Sequence, residues 1–304
     1  MNQSDISNSH LSCLCCRGKN LTTESTLTSL FISRAAWEGP PEITDLLYCN
    51  DCGFRTYRRH LSDTEAKKYY SDYRGKRYVA ERSRDEIFYN QSVYDRDEAW
   101  MASPRRQKEM LNFISQIIPN TQDLKVLDFG GGDGRLIANL ECKRRAVFDI
   151  TAISVLPGVE KLTTESELRQ EPWDLIVCAQ TLEHISEPDL ALEKMRDITA
   201  KDGYIYVELP DQQWISHAFP GRLRNYILAL ALRSRSFHKF LDLYSTAFRV
   251  KFGVLPPLGF VPMREHVNFF TLNSIIKLGQ PLSLKTEASK ISSCCGTQVM
   301  FRKH

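Results

Sequence analysis

Lys125 to Ile137 reads KVLDFGGGDGRLI, and the rest of the chain can be placed by working outward from this stretch. Val126, Leu127 and Phe129 make the run of a buried strand around Asp128. Glycines follow at 130, 131, 132 and 134, and apolar residues return in helix-like spacing at Leu136 and Ile137. The pattern predicts a strand that turns sharply into a helix. Glycine permits positive φ there and removes the Cβ atoms that would hold a ligand away from exposed amides. A dinucleotide fingerprint, Gly-x-Gly-x-x-Gly, would need its third glycine at 135, where Arg135 stands. The spacing present is Gly130-x-Gly132-x-Gly134, that of a different cofactor loop.

Downstream, Ala146-Val147-Phe148 reads as a second strand ending in Asp149, beside the first in a doubly wound sheet, where an acid can accept both ribose hydroxyls. Between Asp149 and the next strand, Val159 to Thr163, the chain is too short for a full crossover helix, and Pro157-Gly158 would break one. Trp173 to Cys178 is a further buried strand. It leads into Gln180-Thr181-Leu182-Glu183-His184-Ile185, and Gly203 to Pro210 is the next strand with its proline stop.

Leu127-Asp128 before the glycine triplet, and Leu182-Glu183-His184-Ile185 with Ser186-Glu187-Pro188 after a strand, resemble class I S-adenosylmethionine-dependent methyltransferases. The resemblance implies an α/β fold, a doubly wound seven-stranded methyltransferase sheet closed by an antiparallel pair near Leu282–Ile291 and Thr297–Arg302. It implies S-adenosylmethionine as cofactor, held by Asp128, Gly130, Gly132, Gly134, Asp149, Gln180 and Thr181. Glu183 and His184 would lie near the acceptor, hold a divalent metal as in some relatives, or simply support the loop.

Paired cysteines precede all this. Cys13-x-x-Cys16 and Cys49-x-x-Cys52, about thirty residues apart, supply two knuckles for one tetrahedral zinc ion, with Cys15 left over. Unpaired thiols or a redox pair are the competing readings. Between the knuckles the sequence reads as loop and short strands, too poor in apolar residues to fold without metal. The organisation expected is a zinc-ribbon-like domain over 1–60, a tyrosine-rich helical connector over 61–122, and a methyltransferase domain over 123–304 with a cap insert at 212–262. The connector's Met110, Leu111, Phe113, Ile114, Ile117 and Ile118 form a helical face suited to cap the sheet. Nine cysteines, a polar amino terminus and no long apolar run point to a cytoplasmic chain. The Tyr57-Arg58-Arg59-His60 tail fits a nucleic-acid or protein partner, yet a net charge of +3 makes nucleic acid an unlikely ligand.

The insert mixes Tyr226–Leu232 with basic residues from Arg222 to Lys251. A phosphate-gripping substrate cap, a peripheral membrane contact through 222–251, and a half-buried helical pair with a solvated basic face all fit. Beyond it, Arg264-Glu265-His266-Val267-Asn268-Phe269-Phe270-Thr271 resembles the Tyr-His-Glu-His-x-x-Tyr-Phe-Ser segment of zinc-containing sugar C-methyltransferases. Met263 and Arg264 replace that family's tyrosine and first histidine. The resemblance implies His266 as catalytic base with Glu265 beside it, His184 nearby, and Tyr89 as an active-site tyrosine. The expected activity is methylation of a small molecule, a sugar or saccharide intermediate, at oxygen or carbon. The alternatives are a methyltransferase acting on a lipid-linked acceptor at the membrane, and a non-catalytic binding module of the same fold.

Overall fold

The structure, a computed structural model, describes residues 12–151, 153–215 and 221–304. Most of the polar amino terminus and the stretch 216–220 of the insert lie outside the described residues. The chain begins with β1 (Leu21–Leu27), α1 (Leu30–Trp37), β2 (Ile43–Cys49) and β3 (Arg55–Tyr57). Four connector helices follow: α2 (Asp63–Tyr70), α3 (Lys76–Asp85), α4 (Gln91–Met101) and α5 (Pro104–Ser115). The sheet strands come next, β4 (Lys125–Phe129), β5 (Arg144–Phe148) and β6 (Glu160–Leu162), then α6 (Glu165–Leu168), β7 (Trp173–Ala179), α7 (Pro188–Ile198) and β8 (Thr199–Leu209). The insert supplies α8 (Gly221–Arg233) and α9 (Arg235–Phe252). The chain closes with β9 (Asn268–Phe269), α10 (Leu272–Gly279), β10 (Leu284–Ser292) and β11 (Gly296–Lys303).

Seven strands pair in the order β10-β11-β8-β7-β4-β5-β6. β8, β7, β4, β5 and β6 run parallel, and β11 lies antiparallel between β8 and β10, as the methyltransferase reading requires. Parallel strands bury both faces, which is why β7 reads as one apolar run. Leu127, Ile176, Cys178, Ile205 and Val207 point into a core shared with α7 and α10. Val126, Val147, Leu175, Val177 and Tyr206 point the other way, against Met110, Phe113 and Ile114 of α5. The neighbours of β4, strands β5 and β7, are reached by crossovers in opposite directions, so a crevice opens beyond its carboxyl end.

The structure departs from the sequence reading in three places. The glycine loop does not lead into a helix: Gly134, Ile137 and Leu140 each donate to the carbonyl three residues back, giving successive tight turns. The cause is length. A five-residue strand spans about 17 Å, and only nine residues, 135–143, return the chain to the start of β5. As α-helix they would cover about 13 Å, whereas 3₁₀-like turns cover about 18 Å.

The stretch between the cysteine knuckles holds a helix, α1, capped by Ser29 and packed through Phe31, Ile32 and Ala36 on Leu46, Tyr57 and Tyr69, in an apolar core that it shares with the connector. Finally, residues 1–60 do not make a closed unit. Their sheet runs β1-β2-β3-β9, its fourth strand coming from the far end of the chain. Among the described residues no helix lies between β5 and β6, residues 61–122 hold α2 to α5, and the insert forms a helical hairpin.

Candidate active site

The carboxyl edge of the sheet holds the glycine loop in three left-handed residues, with φ of +77° at Gly130, +59° at Gly132 and +78° at Gly134. A methyl group at 130 would stand 2.3 Å from Thr181 Cγ2, and one at 134 would stand 2.9 Å from Val147. At 132 it would meet nothing within 4 Å, so the loop is packed at both ends and open in the middle. Gly132 N–H donates to Asp149 Oδ2 (2.8 Å), while Asp149 Oδ1 accepts from the Thr151 amide and hydroxyl. Asp128 lies beneath the loop, 1% exposed, with Oδ2 unpartnered, and burial pushes its carboxyl up to about 7. Gln180 adopts φ +56° where β7 ends, its amide bonded to the Glu208 carbonyl. A non-glycine residue held there stores strain of about 1–2 kcal/mol, a feature that clusters at functional sites. Thr181 Oγ1 lies within reach of the Gly130 carbonyl (3.4 Å), so the two loops meet at the crevice.

The two segments that carry the family resemblance also meet. Val267 N–H donates to the Glu183 carbonyl (2.8 Å), and Asn268 Nδ2 donates to the carbonyls of Leu182 and Ile185. This brings the His184 and His266 rings edge to face, with centroids 4.5 Å apart. His184 Nδ1 lies 3.0 Å from the Glu265 carbonyl and 3.2 Å from the Tyr70 hydroxyl. His266 Nδ1 lies 3.0 Å from Gln212 Oε1. Carbonyl oxygens only accept, so in both rings these bonds place the proton on Nδ1 and leave a lone pair on Nε2. Burial lowers His184 to about 4 and His266 to about 3, so both imidazoles are neutral at physiological pH.

The Glu265 carboxylate does not orient His266, as the reading of the sequence expected; the Gln212 amide does. Glu265 instead binds Arg82 of α3 (2.7 Å) and the Tyr69 hydroxyl. Burial opposes its ionisation, but Arg82 and the two imidazoles hold its carboxyl well below the usual range. Arg82 also binds Glu86 (2.9 Å). Glu86 pairs with Arg264 (3.0 Å), which reaches Asp242 of α9. A buried chain of charges thus ties the connector, the 264–265 segment and the insert together. The guanidiniums of Arg82 and Arg264 lie over the Tyr89 ring, at 4.0 and 5.0 Å from its centroid. Met263 sits in the core with its backbone bonded to Leu27 and Ser29, so its side chain does not stand in for the absent tyrosine. Tyr70, Arg82 and Gln212 escaped the sequence reading, because nothing local marks them out; only topology brings them to the histidines.

Two further features border this region. Arg55 lies over the Trp214 ring (4.0 Å) with Nη1 buried and unpartnered, and Arg249 approaches the same ring (5.4 Å). Burial lowers both guanidiniums, and neither makes an ion pair among the described residues. In the amino-terminal region, Cys13 and Cys52 sulfurs stand 3.5 Å apart, as do those of Cys16 and Cys49, and all four lie within 4.8 Å of one another. Such separations are far too long for disulfides and near the roughly 3.8 Å of thiolates around a tetrahedral zinc ion. Cys15 is buried outside this set. Glu183, His184 and His266 form a second group, with one ligand atom from each lying within the same span.

A methyltransferase-domain family model matches residues 101–285. No curated protein matches the chain. Among solved structures it is similar to an S-adenosylmethionine-dependent methyltransferase from Aquifex aeolicus, at 13% identity and TM-score 0.41, over 67% of this chain and 95% of that one. It is also similar to magnesium protoporphyrin IX methyltransferase from Synechocystis, with bound S-adenosylhomocysteine, at 12% identity and TM-score 0.41, over 72% and 98%. A third is the N-methyltransferase NodS from Bradyrhizobium japonicum, at 13% identity and TM-score 0.39, over 66% and 87%. The family match covers more than half of the 304 residues and includes β4 to α10, so the chain belongs to the methyltransferase-domain family and is an S-adenosylmethionine-dependent methyltransferase of class I fold.

Proposed function

We propose that this enzyme methylates a small, sugar-type acceptor seated between the glycine loop and the paired histidines. The observation that carries the reading is the junction of the 182–185 turn with the 265–268 segment. It sets two neutral imidazoles beside the crevice of the sheet. The donor's sulfonium supplies an already activated methyl group. In this proposal Gly130, Gly132, Gly134 and Asp128 shape the cradle for the donor. Asp149 exchanges its bond to Gly132 for the ribose hydroxyls, and Gln180 and Thr181 line the edge.

His266 Nε2 takes the acceptor's proton as the new bond to the methyl carbon forms and the sulfur–methyl bond breaks, leaving the demethylated thioether. An imidazole lowered to about 3 is a weak base, so proton removal has to accompany methyl transfer rather than precede it. Glu265 and His184 hold this geometry, and Tyr89 sits at its margin. Arg55 and Arg249, half-buried without counter-ions among the described residues, favour an acceptor carrying phosphate or carboxylate. With Met263 in the core, no side chain replaces the tyrosine of the carbon-methylating relatives, so oxygen methylation stands level with carbon methylation.

The Cys13, Cys16, Cys49 and Cys52 set would hold a structural zinc ion. The division at 1–60, 61–122 and 123–304 is retained as a functional one: metal centre, connector, catalytic sheet. With no disulfide joining its nine cysteines, the chain fits a cytoplasmic home. The test compares metabolites and glycans from cells with and without the protein, seeking a product one methylene heavier, alongside calorimetric titration with the donor. A lost methylated saccharide supports the proposal. A lost methylated lipid or protein refutes the sugar reading, and absence of donor heat refutes the site.

A further inference from the structure

The insert carries a surface that methyl transfer leaves unused. Helix α9 sets Phe240, Tyr244, Phe248 and Phe252 at successive i+4 positions, which stack along one side of a helix. Their ring centroids follow one another at 6.3, 5.1 and 5.4 Å. The opposite side, with His238, Leu241, Asp242, Ser245 and Thr246, is buried, yet Phe240, Phe248 and Phe252 are 61%, 41% and 57% exposed. Val250 is exposed as well. On α8, Arg222, Tyr226 and Arg233 share one exposed stripe at i, i+4 and i+11.

The insert that carries this ladder is itself strongly basic. Residues 212–262 contain seven Arg and Lys and one acid, Asp242, which is buried against Arg264. Arg224 and Arg235 pair with Glu24 and Asp85. Arg222, Arg233 and Lys251 make no ion pair among the described residues, and Lys251 Nζ lies 5.2 Å from the Phe252 ring.

We propose that the α8–α9 hairpin docks on an anionic lipid bilayer. The aromatic ladder enters the boundary between headgroups and acyl chains, and Arg222, Arg233 and Lys251 meet the headgroup phosphates. No helix among the described residues is long and apolar enough to cross a membrane, so the hairpin lies on the surface. A second copy is the poorer occupant, because a two-fold contact would set these cations against themselves. The inference does not depend on which acceptor is methylated.

The test is flotation of the full chain with phosphatidylcholine vesicles, with and without phosphatidylglycerol. Wild type should float only with the anionic vesicles, less so as salt rises. Each cation near such a surface is worth about fivefold in partitioning, so Arg222→Glu, Arg233→Glu and Lys251→Glu together should lower it on the order of a hundredfold. Phe240→Ser with Phe248→Ser should lower it at least about tenfold. Unchanged far-UV circular dichroism and donor titration establish that a variant is folded; if the serine pair is not, the charge reversals decide alone. The proposal is overturned if wild type ignores anionic vesicles or if folded variants float as well as it does. Sedimentation showing a wild-type dimer that the variants disperse would assign the ladder to a second copy and overturn it too.

Discussion

Replacing Gly130 by alanine tests whether the glycine loop is shaped by packing at its ends and by ligand access at its middle. The substitution meets two separable costs. At φ +77° a Cβ costs about 1–2 kcal/mol whatever surrounds it. The new methyl would also stand 2.3 Å from Thr181 Cγ2 and 2.6 Å from its Oγ1, an overlap of the kind that costs about 1–3 kcal/mol. Thr181→Ala removes the overlapping atoms and leaves the backbone cost untouched. The double variant should therefore be more stable than the sum of the single changes predicts, by about 1–3 kcal/mol. In a chain of this size that is several degrees of melting temperature. Gly132→Ala is the contrast. It carries the same backbone cost at φ +59° but meets nothing within 4 Å, so its methyl projects into the space assigned to the donor. It should weaken binding of S-adenosylhomocysteine, read by calorimetry, by more than its loss of stability explains. Additive melting temperatures in the Gly130–Thr181 cycle, or full affinity in Gly132→Ala, would refute this account of the loop.

Three other outcomes follow from the same geometry. His266→Ala should lower kcat by about 10²–10⁴-fold with donor affinity intact. Because burial lowers this imidazole to about 3, wild-type kcat/KM should show no acid limb near pH 6.5, and such a limb vanishing in the variant would contradict the lowering by burial. Glu183 is 1% exposed with both carboxylate oxygens unpartnered, and burial raises it from 4.5 to about 8. Between those values the native state keeps a proton that the unfolded chain has lost, so this group erodes stability as pH rises from about 5 to 8. Glu183→Gln should remove that erosion, on the order of a few kcal/mol at pH 8, and denaturant melts at pH 5 and 8 that differ equally in both proteins would exclude it. Metal analysis should find one zinc per chain, lost in Cys49→Ser together with several degrees of melting temperature; a metal-free wild type of equal stability would rule the centre out.

The glycine-loop half of the candidate site is far more legible in the sequence than the histidine half, and the reason is physical. Val126-Leu127, Ala146-Val147 and Leu175–Cys178 must be apolar because a parallel strand is covered on both faces, and a left-handed loop must be glycine where Thr181 or Val147 presses on it. Both constraints act on neighbours in sequence, so they leave a local pattern. The helix wrongly expected after Gly134 shows the limit of such patterns. Leu136 and Ile137 are buried in the observed turns just as they would be in a helix, and what excludes the helix is the distance to β5, a property of the whole crossover.

The histidine side is made of distant pieces: α2 supplies Tyr70, α3 Arg82, the stretch after β8 Gln212, and the segment before β9 His266. Glu265 and His266 could be picked out because their stretch resembles a short motif of sugar C-methyltransferases. Their partners could not, since a tyrosine, an arginine and a glutamine carry no mark of what they will touch. The pairing of β9 with β3 binds these pieces together, joined by the bond from Thr271 Oγ1 to the Cys52 carbonyl (2.7 Å). The segment carrying His266 is thereby fastened to a cysteine knuckle more than two hundred residues earlier. Loss of metal from that knuckle should therefore reach the imidazole through β3 and β9, which gives the amino-terminal region a role in placing the proposed base as well as in folding.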